Sequence, residues 1–276
     1  TLGKDFKYNI SLNGSYNKNE VGNIPTSDGI IHGAGDELYN NASEFYRAEN
    51  GQPIGYFWGY KTAGIFQNTQ EIDEWRAAGN GILQSNVQPG DVRFVDRNHD
   101  GQINDKDKVN LGNGTPDFTL GLNLGFVYKG FDFSIVANGA FGQQIVQSYR
   151  NHTRPTPNYT TAILDRWHGE GTSNRIPRVT DSNINYQFSD LFIQNGDYLR
   201  LSTLTLGYDF AKLFKGKAVS QARLYFQVQN LFIITGYDGM DPEIGFGSSN
   251  NSWVSGLDYG YYPRPRTVLV GVNLKF

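Results

Sequence analysis

The residues in this chain best suited to chemistry run Asp96-Arg-Asn98-His-Asp100-Gly101-Gln102-Ile103-Asn104-Asp105-Lys106-Asp107. Asp96, Asn98 and Asp100 stand at alternate positions, so three short oxygen-bearing side chains can converge on one hard cation. Gly101 permits a sharp turn, Gln102 would offer its backbone carbonyl, and Ile103 would pack the loop down. Asp107 closes the set at the twelfth position, where the helix-flanked form of such a loop carries the longer Glu. The expectation is a Ca2+ held by Asp96, Asn98, Asp100, Gln102 and Asp107, with a metal-free Asx turn as the alternative. The flanks read as strand and turn, so the ion would staple a loop and neither switch it nor catalyse.

Other chemistry is thinly supported. His32, His99, His152 and His168 share no ligand spacing, and the absence of cysteine removes thiolate sites and disulfides. Gly112-Asn-Gly-Thr-Pro116 reads as a turn before a strand, not as a phosphate loop. Asp241 and Glu243 form a carboxylate pair that nothing marks as raised in pKa. A glycosidase would need two carboxylates converging at catalytic separation. Gly55-Tyr-Phe-Trp-Gly-Tyr60 and Asp258-Tyr-Gly-Tyr-Tyr262 could stack on sugar rings; an interfacial girdle or ordinary loop packing are the alternatives. With net charge −3 and no basic block, nucleic acid is not an expected partner.

Strands must carry these loops. Phe6, Tyr8, Ile10, Leu12 and Tyr16 alternate with Lys7, Asn9, Ser11 and Asn13, predicting a strand over about 6–17. Phe118, Leu120, Leu122, Leu124 and Phe126 alternate with Thr119, Gly121, Asn123 and Gly125. Tyr128-Lys-Gly130 then turns the chain into Phe131, Phe133, Ile135 and Ala137, a hairpin with a very short loop. Leu199, Leu201, Leu204, Leu206 and Tyr208 mark a strand whose parity slips near Ser202-Thr203, as a bulge would make it. Ala222, Leu224, Phe226 and Val228 lead to Leu231-Phe-Ile-Ile234. Last, Val268, Val270, Val272, Leu274 and Phe276 oppose Thr267, Gly271, Asn273 and Lys275, with Leu269 the apolar exception. Between these strands, Asn68-Thr-Gln-Glu71 resembles a capping box, and Ile72, Trp75 and Ala78 predict a short helix ending at Gly79-Asn-Gly81.

Loop lengths supply the architecture. Connections at 129–130 and 211–220 are short, whereas 18–116, 142–196 and 235–265 are long and rich in Gly, Asn, Ser and Pro. Outer-membrane barrels place short turns at one interface and long loops at the other. With 33 Gly, 17 Tyr and 18 Phe but one Met, the composition is β-rich. A mean hydropathy of −0.50 counts against apolar helices only, because alternating strands average out. The expected fold is all-β: an antiparallel transmembrane β-barrel segment, the last six or so strands of a large barrel, with long extracellular loops. Residues 1–18 form a barrel strand, 19–116 an extracellular loop region with a short helix and the calcium-type loop, and 117–276 C-terminal barrel strands with two long extracellular loops. A soluble up-and-down barrel or a secreted carbohydrate-binding β-domain is the alternative. Nothing at Thr1-Leu-Gly-Lys-Asp-Phe6 reads as a signal peptide, so the sequence is expected to be mature or a fragment.

Seven ordered segments then resemble the C-terminal part of the SusC/RagA group of TonB-dependent outer-membrane transporters of Bacteroidetes. They are Phe6 to Asn19; Gly51-Gln-Pro-Ile-Gly-Tyr56 with Gly59-Tyr-Lys-Thr-Ala-Gly-Ile-Phe66; and Pro89-Gly-Asp-Val-Arg-Phe-Val-Asp96. Leu111-Gly-Asn-Gly-Thr-Pro-Asp-Phe118, Tyr198 to Tyr208, Asn230-Leu-Phe232 with Gly236 to Glu243, and Tyr262-Pro-Arg-Pro-Arg266 complete the set. Trp167 with Ile176-Pro-Arg178 also looks like a loop of that family, whereas nothing in 20–43 does. The resemblance implies import of oligosaccharides or peptides, energised through TonB-ExbB-ExbD, with a SusD-like surface lipoprotein as a lid. It also implies that Phe276 and its alternating strand are read by the barrel-assembly machinery. No TonB box or plug lies in these residues, and six strands cannot close around a plug, where the large transporters have about 22. Transport by this stretch alone is not expected.

Overall fold

The computed structural model describes residues 5–33, 44–147, 161–182, 184–214, 219–244 and 253–276. Six long strands, Phe6–Tyr16, Phe118–Tyr128, Phe131–Phe141, Tyr198–Asp209, Gln221–Thr235 and Thr267–Lys275, form one antiparallel sheet in that spatial order. All six fall within a residue or two of the strands expected from alternation. Each strand pairs with its predecessor among the six, so the short connections share one end and the three long ones the other.

Register explains why one face is continuous. Ile10 pairs with Leu124, Leu124 with Ile135, Ile135 with Leu204, Leu204 with Val228 and Val228 with Val268. Side chains in register share a face, so an apolar layer crosses the whole sheet. The other face is largely polar, carrying Asn9, Ser11, Asn123, Ser134, Thr205 and Gln227 at the alternate positions. On it Arg223 grips Asp132 bidentately, at 2.7 Å and 2.6 Å.

The parity slip is a bulge. Leu201 pairs with Phe232 and Thr203 with Gln229, which leaves Asn230 and Leu231 opposite Ser202. Asn230 supplies a positive φ of 52°, a conformation its short amide side chain tolerates, and its Nδ2 donates to the Pro265 carbonyl at 3.0 Å. Against the Phe131–Phe141 strand Ser202 is itself the extra residue, since Leu201 pairs with Ala137 and Thr203 with Val136, and it returns Leu199 and Leu201 to the apolar face opposite Ile234 and Phe232. In the 128–131 hairpin, Lys129 and Gly130 both take positive φ, 48° and 92°, the backbone of a tight twisted turn.

Aromatic rings gather at both ends of the apolar face. Phe6, Tyr128, Phe131, Tyr208 and Phe210 lie at the short-turn end, with Phe131 and Tyr208 centroids 4.4 Å apart and Tyr208 and Phe210 4.7 Å apart. Tyr16, Phe118 and Phe141 lie at the other end. Ten residue steps at about 3.3 Å, tilted by about 40°, separate the two groups by roughly 25 Å, the height of an outer-membrane apolar band.

The long connections fold together above the wall. Ile30–His32, Tyr46–Glu49, Tyr56–Tyr60 and Lys108–Asn110 make a four-stranded sheet, Thr62–Ile65 pairs with Val92–Phe94, and Gln144–Gln147 joins Ile193–Asn195 and Leu257–Asp258. One core combines Phe45, Tyr46, Phe57, Leu111, Val146, Phe188, Val254 and Leu257, drawn from all three long connections. The two aromatic-rich runs belong largely to this platform: Tyr56, Phe57 and Tyr60 are buried and Tyr259 packs against the core. Ordinary packing, not sugar stacking, is their main role. Tyr261 and Tyr262 are the exceptions, 43% and 87% exposed.

Candidate functional site: wall, loop platform and cation loop

The platform is tied to the wall by charge. Arg200, on the polar face near the long-loop end of its strand, donates from Nη2 to Asp241 Oδ1 at 2.6 Å and lies 3.1 Å from Glu243. Arg264 closes on the other Glu243 oxygen at 3.2 Å. Asp241 and Glu243, read in sequence only as a carboxylate pair, are thus ion-paired with arginines that anchor this part of the third long connection.

A second buried network joins two long connections. Arg178 Nε donates to Asp91 Oδ1 at 2.7 Å, and Asn185 Nδ2 donates to the same oxygen at 2.8 Å. Asn185 Oδ1 in turn accepts the Val92 N–H at 3.0 Å and the Gln84 amide at 2.9 Å. This accounts for the Pro89-Gly-Asp-Val run and for Ile176-Pro-Arg178. Sequence reasoning missed Asn185, because its partners lie about 94 residues away.

The Thr69–Ala77 helix forms where expected. Asn68 Oδ1 accepts the Glu71 N–H at 3.0 Å, but Glu71 accepts from Gln67 N–H at 2.9 Å, one residue earlier than a reciprocal capping box requires. The helix delivers Trp75, whose Nε1 donates to the Gly81 carbonyl at 3.1 Å. A Cβ on Gly81 would sit 2.7–2.8 Å from the Gln102 backbone, so glycine is what lets the helix exit touch the cation loop.

Within that loop, Asp96 and Asp107 are buried, at 1% and 0% exposure, while Asn98, Asp100 and Gln102 line its outer side. Asp96 Oδ2 accepts the N–H groups of Gly81 at 2.8 Å and Gly101 at 2.9 Å. Its Oδ1 is buried with no hydrogen-bond partner. Asp107 accepts from Arg97 N–H at 2.8 Å and Asn104 N–H at 2.9 Å. Asn98 Nδ2 donates to Asp100 Oδ2 at 2.8 Å, and Asp100 Oδ1 accepts the Gln102 N–H at 2.9 Å. Gly101 takes φ 78° at the turn. Among the described residues no three acidic, histidine or cysteine side chains gather as a metal cluster, so any ion here would need the Asn98 amide and the Gln102 carbonyl as well. Burial and the neighbouring Asp105 and Asp107 push the Tyr60 hydroxyl up to about 12.

His32 bridges two carboxylates, Glu44 at 2.9 Å and Asp28 at 3.1 Å, and Glu44 in turn holds Arg47. These bonds raise the His32 pKa above its usual 6.5, and the one to His32 lowers Asp28 to about 2. A raised histidine stabilises the fold fully below the unfolded value and stops doing so as pH rises through the folded one. Protease sensitivity around residues 28–49 should therefore increase as pH climbs above about 6.5. His32→Ala should remove that step; a wild-type profile flat from pH 5 to 9 would contradict the assignment.

No protein-family profile matches the chain. It is 32% identical to TonB-dependent receptor P3 of Formosa agariphila, across 99% of this chain and 27% of that protein. It is 29% identical to TonB-dependent receptor SusC of Bacteroides thetaiotaomicron, across 99% of this chain and 25% of that protein. The solved RagAB peptide transporter superposes on the whole chain with a TM-score of 0.70, at 19% identity and over 28% of its own chain. The chain is SusC/RagA-like from end to end.

This SusC/RagA-like stretch thus spans about a quarter of the curated relatives' length. Receptors of the type are outer-membrane proteins of Gram-negative Bacteroidetes, and a six-stranded antiparallel sheet with one apolar face is in keeping with that location. The relatives are receptors and transporters and not enzymes, in keeping with Asp241 and Glu243 being occupied by arginines. Parts of the long connections 142–196 and 235–265, residues 148–160, 183 and 245–252, lie outside the described residues, and His152 with them.

Proposed function

We propose that these residues supply one side of the barrel wall and the external loop platform of a TonB-energised importer. Its cargo would be oligosaccharides or peptides, captured under a SusD-like surface lipoprotein. TonB-ExbB-ExbD would act through parts of the receptor beyond this stretch, and the barrel-assembly machinery would insert the wall through the Thr267–Lys275 strand. The observation that supports this most is the sheet itself, an apolar face roughly 25 Å tall between two aromatic groups. The Phe6–Tyr16 and Thr267–Lys275 strands each have one neighbour within the sheet, as strands of a larger barrel would. Peptide cargo follows the RagAB likeness, and oligosaccharide cargo is what the resemblance of the ordered segments implies.

Blotting outer membranes with an antibody against residues 161–182 tests the reading. We expect a band on the order of 100 kDa, the size that about 22 strands plus a plug require, co-purifying in mild detergent with a surface lipoprotein. A band near 30.9 kDa, or a soluble one, would overturn it.

A further inference from the structure

We infer that the 96–107 loop is a calcium site that locks the loop platform. The decisive atom is Asp96 Oδ1. Its carboxylate is 1% exposed, its other oxygen is fixed by the Gly81 and Gly101 N–H groups, and Oδ1 itself has no partner. A buried carboxylate oxygen without a donor costs free energy unless a cation meets it. Asn98 and Asp100 lie two and four residues on, and their amide and carboxylate now satisfy one another at 2.8 Å. A divalent ion would replace that contact, taking Asp96 Oδ1, the Asn98 and Asp100 oxygens and the Gln102 carbonyl, while Asp107 stays with the Arg97 and Asn104 N–H groups and holds the far end of the loop in place. An all-oxygen set with short, mobile outer ligands suits the larger Ca2+ better than Mg2+.

The position gives the ion work to do. On one side Gly81 carries the helix exit and Trp75. On the other, Ile103 packs into the second core with Tyr60, Val92 and Phe94. Directly after Asp107 the chain enters Lys108–Asn110, which pairs with Tyr56–Tyr60 and so reaches the first core. An ion in the loop would bind helix, second core and first core into one unit. Because ligands must be fixed in the folded loop, binding would stabilise the platform.

Terbium, which occupies calcium sites and is sensitised by a nearby indole, tests this on the full-length receptor in detergent. Trp75 is the sensitiser, one residue contact from Asp96 through Gly81. We expect emission that Ca2+ displaces and an equal concentration of Mg2+ does not, together with protection of the 97–106 backbone from proteolysis. Asp96→Asn and Asp100→Asn should each weaken binding at least about tenfold, since affinity follows ligand charge. Asp105→Asn, an exposed residue paired with Lys108, should leave it unchanged. Should Asp96→Asn fail to fold, the exposed Asp100→Asn decides. No Ca2+-displaced emission in the wild type, or wild-type affinity in Asp100→Asn, overturns the proposal. The assay uses no cargo, lipoprotein or energy source, so its outcome is independent of the import reading.

Discussion

Arg200→Met should detach the 236–266 segment from the barrel wall and cost about 3–5 kcal/mol locally. The guanidinium is 5% exposed and faces Asp241 at 2.6 Å and Glu243 at 3.1 Å. Removing it leaves two carboxylates together in a poorly hydrated place with Arg264, 55% exposed, as their remaining cation. Met matches much of the volume, so the loss isolates charge from packing. Proteolysis of detergent-solubilised receptor should show new cleavage between residues 236 and 266 while the wall strands stay protected. Adding Asp241→Asn should recover part of the loss, because one stranded charge disappears. An Arg200→Met protein as resistant as wild type would show that the pair contributes nothing.

Leu124→Arg should destabilise the inserted wall by about 2–4 kcal/mol, the cost of a cationic side chain near the bilayer midplane. Leu124 sits in the register line Ile10–Leu124–Ile135–Leu204, about midway between the two aromatic groups. Asn123→Arg, one residue away on the other face, should be nearly neutral. Urea unfolding of the receptor in lipid, read by the gel-mobility shift of the folded barrel, compares the two. The contrast carries the test: equal effects, or a larger one at Asn123, would reverse the facing of the sheet.

The wall was legible because its determinants are local. Period-two alternation over nine or more residues places each strand, and the break in parity at Ser202-Thr203 already marks the bulge. Asn230, with the αL backbone that the bulge requires, was visible only as part of an ordered motif. The helix was legible for the same reason, although the reciprocal half of its cap fell one residue early. The cation loop lay in between. Its donor spacing is written in twelve consecutive residues, but nothing there tells that Gly81 caps Asp96 from fifteen residues away.

By itself, then, the sequence determined the six wall strands, their antiparallel order, the two unlike faces and the side on which the long connections lie. Each follows from which side chain comes two residues later and from how long a link is. Only the tertiary structure decided that those connections form one packed body, that Tyr56, Phe57 and Tyr60 are core rather than sugar platforms, and that Arg200 holds Asp241. Those contacts join residues tens to more than a hundred positions apart, as when Thr62 meets Asp190. Short irregular segments carry no periodicity from which such a partner can be read. The burial that stabilises them exists only once three distant loops have met.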